Sequence, residues 1–340
     1  MSDPGMWPQV CIRNRGNLAR PLALGVALLL LLCAAASGAP ERIATFSVVG
    51  FDPNTGDLGV AVQSKFFAVG SVVPWAEAGV GAVATQAFGN TTFGPRGLAL
   101  LREGLAVEDV LAKLLEDDAD RERRQVGIVD AQGRSASFTG DSCLVWAGHR
   151  TGPNFAVQGN ILVGEETVAA MAEAFSGTEG ILGERLMRAI EAGQAAGGDS
   201  RGVQSAAILI VREGGGYGGF NDVYCDLRVD DHEDPIGELR RIFNMWKGQA
   251  LIYEGYRLCD EGDTDRAIAV GLEAVALSPE SGEPHYHLGC YYSRAGMYDE
   301  ALAEIQKALE LEPSFKLWAR EDPDLAPLRE RPEFGAIISD

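Results

Sequence analysis

ATFSVVGFDPNTGDLGVAVQSK, residues 44–65, reads as two strands joined by a tight turn. Phe46, Val48 and Gly50 alternate with Thr45, Ser47 and Val49, and Leu58, Val60 and Val62 alternate with Gly59, Ala61 and Gln63. A period of two marks a pleated strand, and Asp52-Pro53-Asn54-Thr55-Gly56-Asp57 is a run of turn formers between the two. A hairpin returns the chain to its start, so Thr45 is expected close to Ser64 and Lys65. A threonine that opens a strand beside a lysine is the arrangement an N-terminal nucleophile uses. Its free α-amine takes the proton from its own hydroxyl. The competing reading is that a β-branched residue simply fits the pleat. Ser47 points the same way as Thr45 and is the second candidate nucleophile.

Composition narrows the class. The chain has 340 residues, 46% of them hydrophobic and 23% charged, which is ordinary for a globular protein with room for two domains. Its formal charge is −20, so a phosphate backbone or an anionic membrane surface is a poor partner, and nucleic acid is excluded as the main one. Arg13, Arg15 and Arg20 precede an apolar run from Leu22 to Ala36 and then Ser37-Gly38-Ala39. A basic head, an apolar run and small residues at its end describe a signal peptide over residues 1–39, with export to a periplasmic or extracellular space. A membrane association follows only if that leader stays uncleaved. Beyond it Cys143, Cys225, Cys259 and Cys290 are widely spaced, with no zinc pattern. They read as buried thiols, with Cys259–Cys290 as the pair to test for a disulfide.

Downstream of the hairpin, Val72–Trp75 and Val80–Thr85 look like strands. Helical spacing follows over 94–102 and Val107–Leu115. Gln125–Val129 and Ser135–Thr139 are strands about a turn, and Phe155–Leu162 adds another, containing Gln158-Gly159-Asn160. Helices are expected over Glu165–Phe175 and Ile181–Ala192, strands over Gln204–Val211 and Val223–Val229, and a closing amphipathic helix over 235–247. Strands in hairpins with helices grouped between them predict an α+β domain over 44–247, with antiparallel sheets covered by helices. The order fits a four-layer αββα sandwich.

From 248 to 340 the pattern changes. Gly255, Gly262, Ala267, Ala274 and Pro279 recur 34 residues later as Gly289, Gly296, Ala301, Ala308 and Pro313. That is the tetratricopeptide period, and it predicts an all-α module with repeats at about 248–281 and 282–315 followed by a capping helix. Such repeats imply a protein partner. Cys259 and Cys290 fall on the first helices of neighbouring repeats, hence the disulfide to test.

Chemistry-bearing motifs are few. No Gly-x-Ser-x-Gly elbow occurs, and EGGGYGGFND (213–222) lacks the Lys-Ser/Thr of a phosphate loop. Its Tyr217, Phe220 and Asn221 are candidates for covering and lining a cleft. His149, in a polar loop, is a candidate lining residue. His232, in Asp230-Asp231-His232-Glu233-Asp234, reads as a solvated turn, and His285 and His287 face different sides of a helix. No metal ligand set and no cofactor are expected.

Residues 44 to about 246 closely resemble the uncharacterised family numbered 1028 among the domains of unknown function. The resemblance rests on the opening stretch through Phe88, on WAGHRTG with FAVQGN, and on YGGFND with DLRVDDHEDP. It implies an N-terminal-nucleophile hydrolase-like fold and no known substrate. Within that wider superfamily the nucleophile is the first residue of the mature chain, and Thr45 is the position that matches. By analogy Lys65 would lower the proton affinity of the amine and Ser64 would orient it. Backbone amides around Thr85 and Gln86 would supply oxyanion donors, with Asn160 as a side-chain donor and Gln158 nearby. Removal of the leader at Ala39 leaves five residues ahead of Thr45, so a free amine requires a second cut at Ala44–Thr45. Two functions stay open: an exported amidohydrolase for a small amide or peptide-like bond, or an inactive hydrolase-like domain that binds a small molecule. Either is compatible with a homodimer.

Overall fold

In the computed structural model, which describes residues 45–339, β1 (Thr45–Phe51) and β2 (Leu58–Ser64) form the expected hairpin. The leader expected over residues 1–39 lies outside the described residues. Thr45 stands opposite Ser64, and Phe51 opposite Leu58. Gly56 turns the chain at φ 77°, a left-handed conformation that costs a residue without Cβ little. Asp57 fixes the turn: its buried carboxylate receives Arg212 Nε at 2.6 Å and Nη2 at 2.7 Å. A planar guanidinium holding both oxygens adds geometric specificity as well as energy.

The other strands are β3 (Pro74–Glu77), β4 (Gly81–Ala87), β5 (Arg124–Asp130), β6 (Ser135–Thr139), β7 (Gly148–Gly152), β8 (Phe155–Asn160), β9 (Ser205–Val211) and β10 (Val223–Val229). They form two antiparallel sheets, ordered β10-β9-β2-β1-β8-β7 and β3-β4-β5-β6. Two readings of the sequence change. Val69–Ser71 is a 3₁₀ turn, and β3 begins at Pro74, whose missing N–H is harmless at the start of an edge strand. The segment around His149 is an edge strand rather than a loop. Its Gly-His-Arg-Thr-Gly composition carries no apolar alternation to announce it.

Alternation along β1 assigns its two faces. Phe46 and Val48 pack with Met171 and Phe175 of α3 (Glu165–Gly177) and Leu186 and Ile190 of α4 (Leu182–Ala195). Val49 and Phe51 face the other way and meet Ala82, Ala84 and Val129 of the second sheet. The outer face of that sheet, Val83, Val126 and Ile128, is covered by Phe93, Leu98 and Leu101 of α1 (Phe93–Arg102) and Val110 and Leu114 of α2 (Val107–Glu116). Each such side chain contributes about 1.5–3 kcal/mol on burial. The small residues of β4 leave room for the two sheets to approach.

One helix, α5, runs unbroken from Pro235 to Asp260 across the boundary the sequence suggested near 247. Its start is capped by Asp234, which accepts from the Gly237 amide at 3.0 Å. Leu239 and Phe243 belong to the core of the first sheet, while Leu258 and Cys259 pack with Ala267, Leu288 and Tyr291. The helical module thus grows directly from the sheet domain, through α6 (Thr264–Leu277), α7 (Gly282–Arg294), α8 (Tyr298–Leu311), α9 (Phe315–Glu321) and α10 (Pro332–Ile338). The 34-residue repeat is visible as paired helices. Ala267, Ala274, Ala301 and Ala308 are fully buried, and a Cβ on Gly255 would come within 2.5 Å of the Tyr291 ring. Cys259 and Cys290 are free thiols, so the disulfide singled out for testing is not formed. Among the described residues no helix is long and apolar enough to cross a membrane.

Candidate functional site

The inward-facing residues at the start of β1 are polar where the rest of the strand is apolar. Thr45, Ser47, Ser64, Gln86, Gln125, Gln158 and Asn160 are each at most 1% exposed, between the two sheets. Register brings them together: Thr45 is paired with both Ser64 and Asn160, Ser47 with Gln158, and Gln86 with Gln125. Buried polar groups cost about 1–3 kcal/mol each when unpaired, so their partners have to be accounted for.

Thr45 Oγ1 and Ser64 Oγ share a hydrogen bond of 3.1 Å. The Thr45 carbonyl receives Gln86 Nε2 at 3.1 Å and Asn160 Nδ2 at 3.5 Å. Both amides also donate to Gln125 Oε1, at 2.8 and 3.0 Å. Gln125 Nε2 in turn donates to Gly159 O and to Thr139 Oγ1. Gln125 therefore sets the orientation of the two side chains that hold Thr45. In the sequence Gln125 stands only as the first residue of an expected strand. Its signal was an amide at an inward position, in phase with Gly127 and Val129. Ser47 is tied at both ends, donating to Gln86 Oε1 at 2.6 Å and accepting from Gln158 Nε2 at 2.6 Å.

Other candidates fall elsewhere. Lys65 is exposed, and its ammonium donates to Val203 O at 3.1 Å rather than reaching the Thr45 hydroxyl; after Ser64 the pleat turns the next side chain away. Thr85 is on the outer face of β4, donating through Oγ1 to Asn90 O, and its amide is committed to Val73 O. It adds nothing to the Thr45 site. Tyr217 and Asn221 are at the wrong end. The β2–β9 ladder runs from Ser64 opposite Ser205 to Leu58 opposite Val211, so the loop after Val211 is six residues, about 20 Å, from Thr45. Tyr217 is 88% exposed, and the Asn221 side-chain oxygen Oδ1 accepts from the Val223 amide. His149 lies at the edge of the network. It pairs with Gln158 across β7 and β8, and its Nδ1 is 2.9 Å from Thr139 Oγ1. Partial burial lowers its pKa below the ordinary histidine value.

Two of the four left-handed non-glycine residues among the described residues flank this network, the others being Ala68 and Asn154. Ala87, directly after Gln86, has φ 67°, and Ile161, directly after Asn160, has φ 53°. Left-handed φ costs an L-residue roughly 1–2 kcal/mol, and for a β-branched residue it is an outlier that the surroundings must impose. Both strands that supply amides to the Thr45 carbonyl are bent away immediately beyond the donor. Such strain clusters where a fold serves function.

A model of a family of unknown function, DUF1028, matches residues 45–239. The chain belongs to this family. The match to DUF1028 begins at Thr45 itself. A tetratricopeptide-repeat model matches residues 282–315, the second of the two helical pairs. Among solved structures, the crystal structure of protein SPO2555 from Silicibacter pomeroyi, also of DUF1028, is 31% identical. The alignment covers 59% of this chain and 84% of that one, with a TM-score of 0.54. No match is found among curated proteins.

Proposed function

We propose that the DUF1028 domain is a hydrolase of small amide or peptide-like bonds that uses Thr45 as an N-terminal nucleophile, in an exported protein. The observation that carries this reading is the setting of Thr45. Its hydroxyl faces the Ser64 hydroxyl, and two side-chain amides hold its carbonyl in a fully buried, strained corner between two sheets. The sheets and their outer helices are read as the four layers of an N-terminal-nucleophile hydrolase-like sandwich. Scission of the Ala44–Thr45 bond frees the α-amine. That amine takes the hydroxyl proton as Oγ1 attacks the substrate carbonyl carbon. The proton passes to the leaving nitrogen, the C–N bond breaks, and an ester on Thr45 remains for water to cleave. Lys65 has no part in this sequence, and the only base it requires is the residue's own nitrogen. Gln86 and Asn160 act by fixing the residue that carries the hydroxyl.

The second reading, a binding domain without turnover, is favoured by one fact: Thr45 is completely buried. The N-terminal sequence and intact mass of the purified protein separate the two. A chain beginning at Thr45, with amide hydrolysis lost in Thr45→Ala and kept in Thr45→Ser, supports the hydrolase. A chain that keeps residues ahead of Thr45 on long incubation excludes the N-terminal mechanism. The repeat module is read as the docking site for a protein partner.

A further inference from the structure

The 3₁₀ segment Pro323–Leu328, with Asp322 ahead of it, lies along one strip of α7 formed by Tyr286, Cys290, Ser293 and Arg294. The Tyr286 hydroxyl donates to Asp322 Oδ2 at 2.7 Å, and the Cys290 thiol approaches the same oxygen at 3.8 Å. The Ser293 hydroxyl donates to the Asp324 carbonyl at 2.6 Å, and the Arg294 guanidinium is 3.9 Å from the Asp324 carboxylate. Leu325 and Leu328 are fully buried in a cluster with Tyr286, Cys290 and Ile305. An end cap requires only an apolar inner face and a polar outer one. This segment adds a carboxylate read by a hydroxyl, a main-chain carbonyl read by a second hydroxyl, and a nearby guanidinium. Two apolar anchors surrounded by polar readout describe a bound ligand. Cys290, Asp322 and Asp324 also bring their ligand atoms within 4.8 Å of one another. Burial holds that thiol protonated, and Arg294 faces Asp324, so the cluster is better suited to hydrogen bonding than to a cation.

We propose that Asp322–Leu328 is a tethered ligand of this α7 strip, and that the protein partner of the repeats docks there with a segment of the same chemistry. That segment has an aspartate that reaches Tyr286 and leucines three and six residues after it. The proposal is independent of any reaction at Thr45. A tethered segment competes at an effective concentration on the order of millimolar, so a partner's apparent affinity is reduced by the fraction of chains in which the strip is open.

The test uses the full chain and a fluorescent synthetic peptide of residues 322–334. In the full-length Asp322→Asn/Leu325→Ala variant the tethered copy is weakened. The peptide is then expected to bind at least about tenfold more tightly than to the unmodified chain. Adding Tyr286→Phe is expected to remove that gain. Equal binding by both proteins, no binding by the variant, or loss of repeat helicity in its circular dichroism overturns the proposal. Hydrogen exchange of the unmodified chain provides a second readout. Amides of 322–328 are expected to exchange through an opening that leaves α7 and α8 protected. Exchange of all three as one unit makes the segment an integral part of the module and rejects the idea.

Discussion

Thr45 has a hydroxyl neighbour across the ladder, Ser64, and another along its own strand, Ser47, and their hydrogen bonds separate their roles. Ser47 gives its proton to an amide oxygen and receives an amide proton, so nothing near it acts as a base. Ser47→Ala leaves Gln86 Oε1 and Gln158 Nε2 short of a partner and is expected to lower stability by ~2–4 kcal/mol in urea unfolding while sparing hydrolysis. Loss of hydrolysis with an unchanged urea midpoint would instead transfer the nucleophile's role to Ser47. Strain at Ala87 makes the opposite kind of prediction. Ala87→Gly relieves a left-handed φ at a position 5% exposed, offset by the extra freedom of glycine in the unfolded chain. A net gain of about 0.5–1 kcal/mol in the same assay is expected, with activity reduced if the bend positions Gln86.

Between elements, the site depends on how closely β5 and β8 approach across the two sheets. Gly127 is the contact point: a Cβ there would fall 2.0 Å from Gln158 Oε1. Gln158 also donates to Ser47, so it cannot withdraw without breaking that bond. Gly127→Ala is therefore expected to cost about 1–3 kcal/mol and to shift the Ser47 and Gln158 resonances in NMR spectra. A neutral effect on both would mean the sheets can part at low cost. Behind the network, Arg124 and Asp118 hold the loop before β5. The Arg124 guanidinium at 2.9 Å keeps the Asp118 carboxyl down at about 2. A carboxylate depressed in the folded state stabilises above its unfolded pKa, near 3.9, and that contribution is lost as pH falls toward 2.

For the whole molecule, acid reaches the His287 imidazole of the repeats before it reaches the Asp118 carboxylate of the sheet domain. Burial lowers the His287 pKa to about 4, where its Nδ1 lies 2.8 Å from the Tyr256 hydroxyl. In the unfolded chain this imidazole takes a proton near pH 6.5, so between about 6.5 and 4 the unfolded state binds more protons. Stability of the repeats is expected to fall as pH drops through that window. The Asp118 contribution to the sheet domain is lost only below it. Hydrogen exchange of α7 at pH 7 and pH 5 measures this, and His287→Asn should flatten the difference. An unchanged α7 at pH 5 would show the imidazole to be accessible. Because α5 belongs to both cores, loosening of the repeats should reach the sheet domain through this helix.

Much of this protein is written in local pattern. Period two in 45–64 yielded the hairpin, the approach of its two ends and the shared face of Thr45 and Ser47, since these depend only on the pleat and the turn. The 34-residue recurrence yielded the paired helices, since small residues at fixed positions are what close helix packing needs. Tertiary structure decided which polar residues meet. Gln125 joined the site, and Tyr217 and Asn221 left it, through a strand order that places β9 beside β2 and the second sheet over β1. Lys65 left it by a single step of the pleat. Sequence separation says nothing about such encounters. They follow from how two sheets stack, and buried amides are aligned only once that stacking leaves them no water to bind.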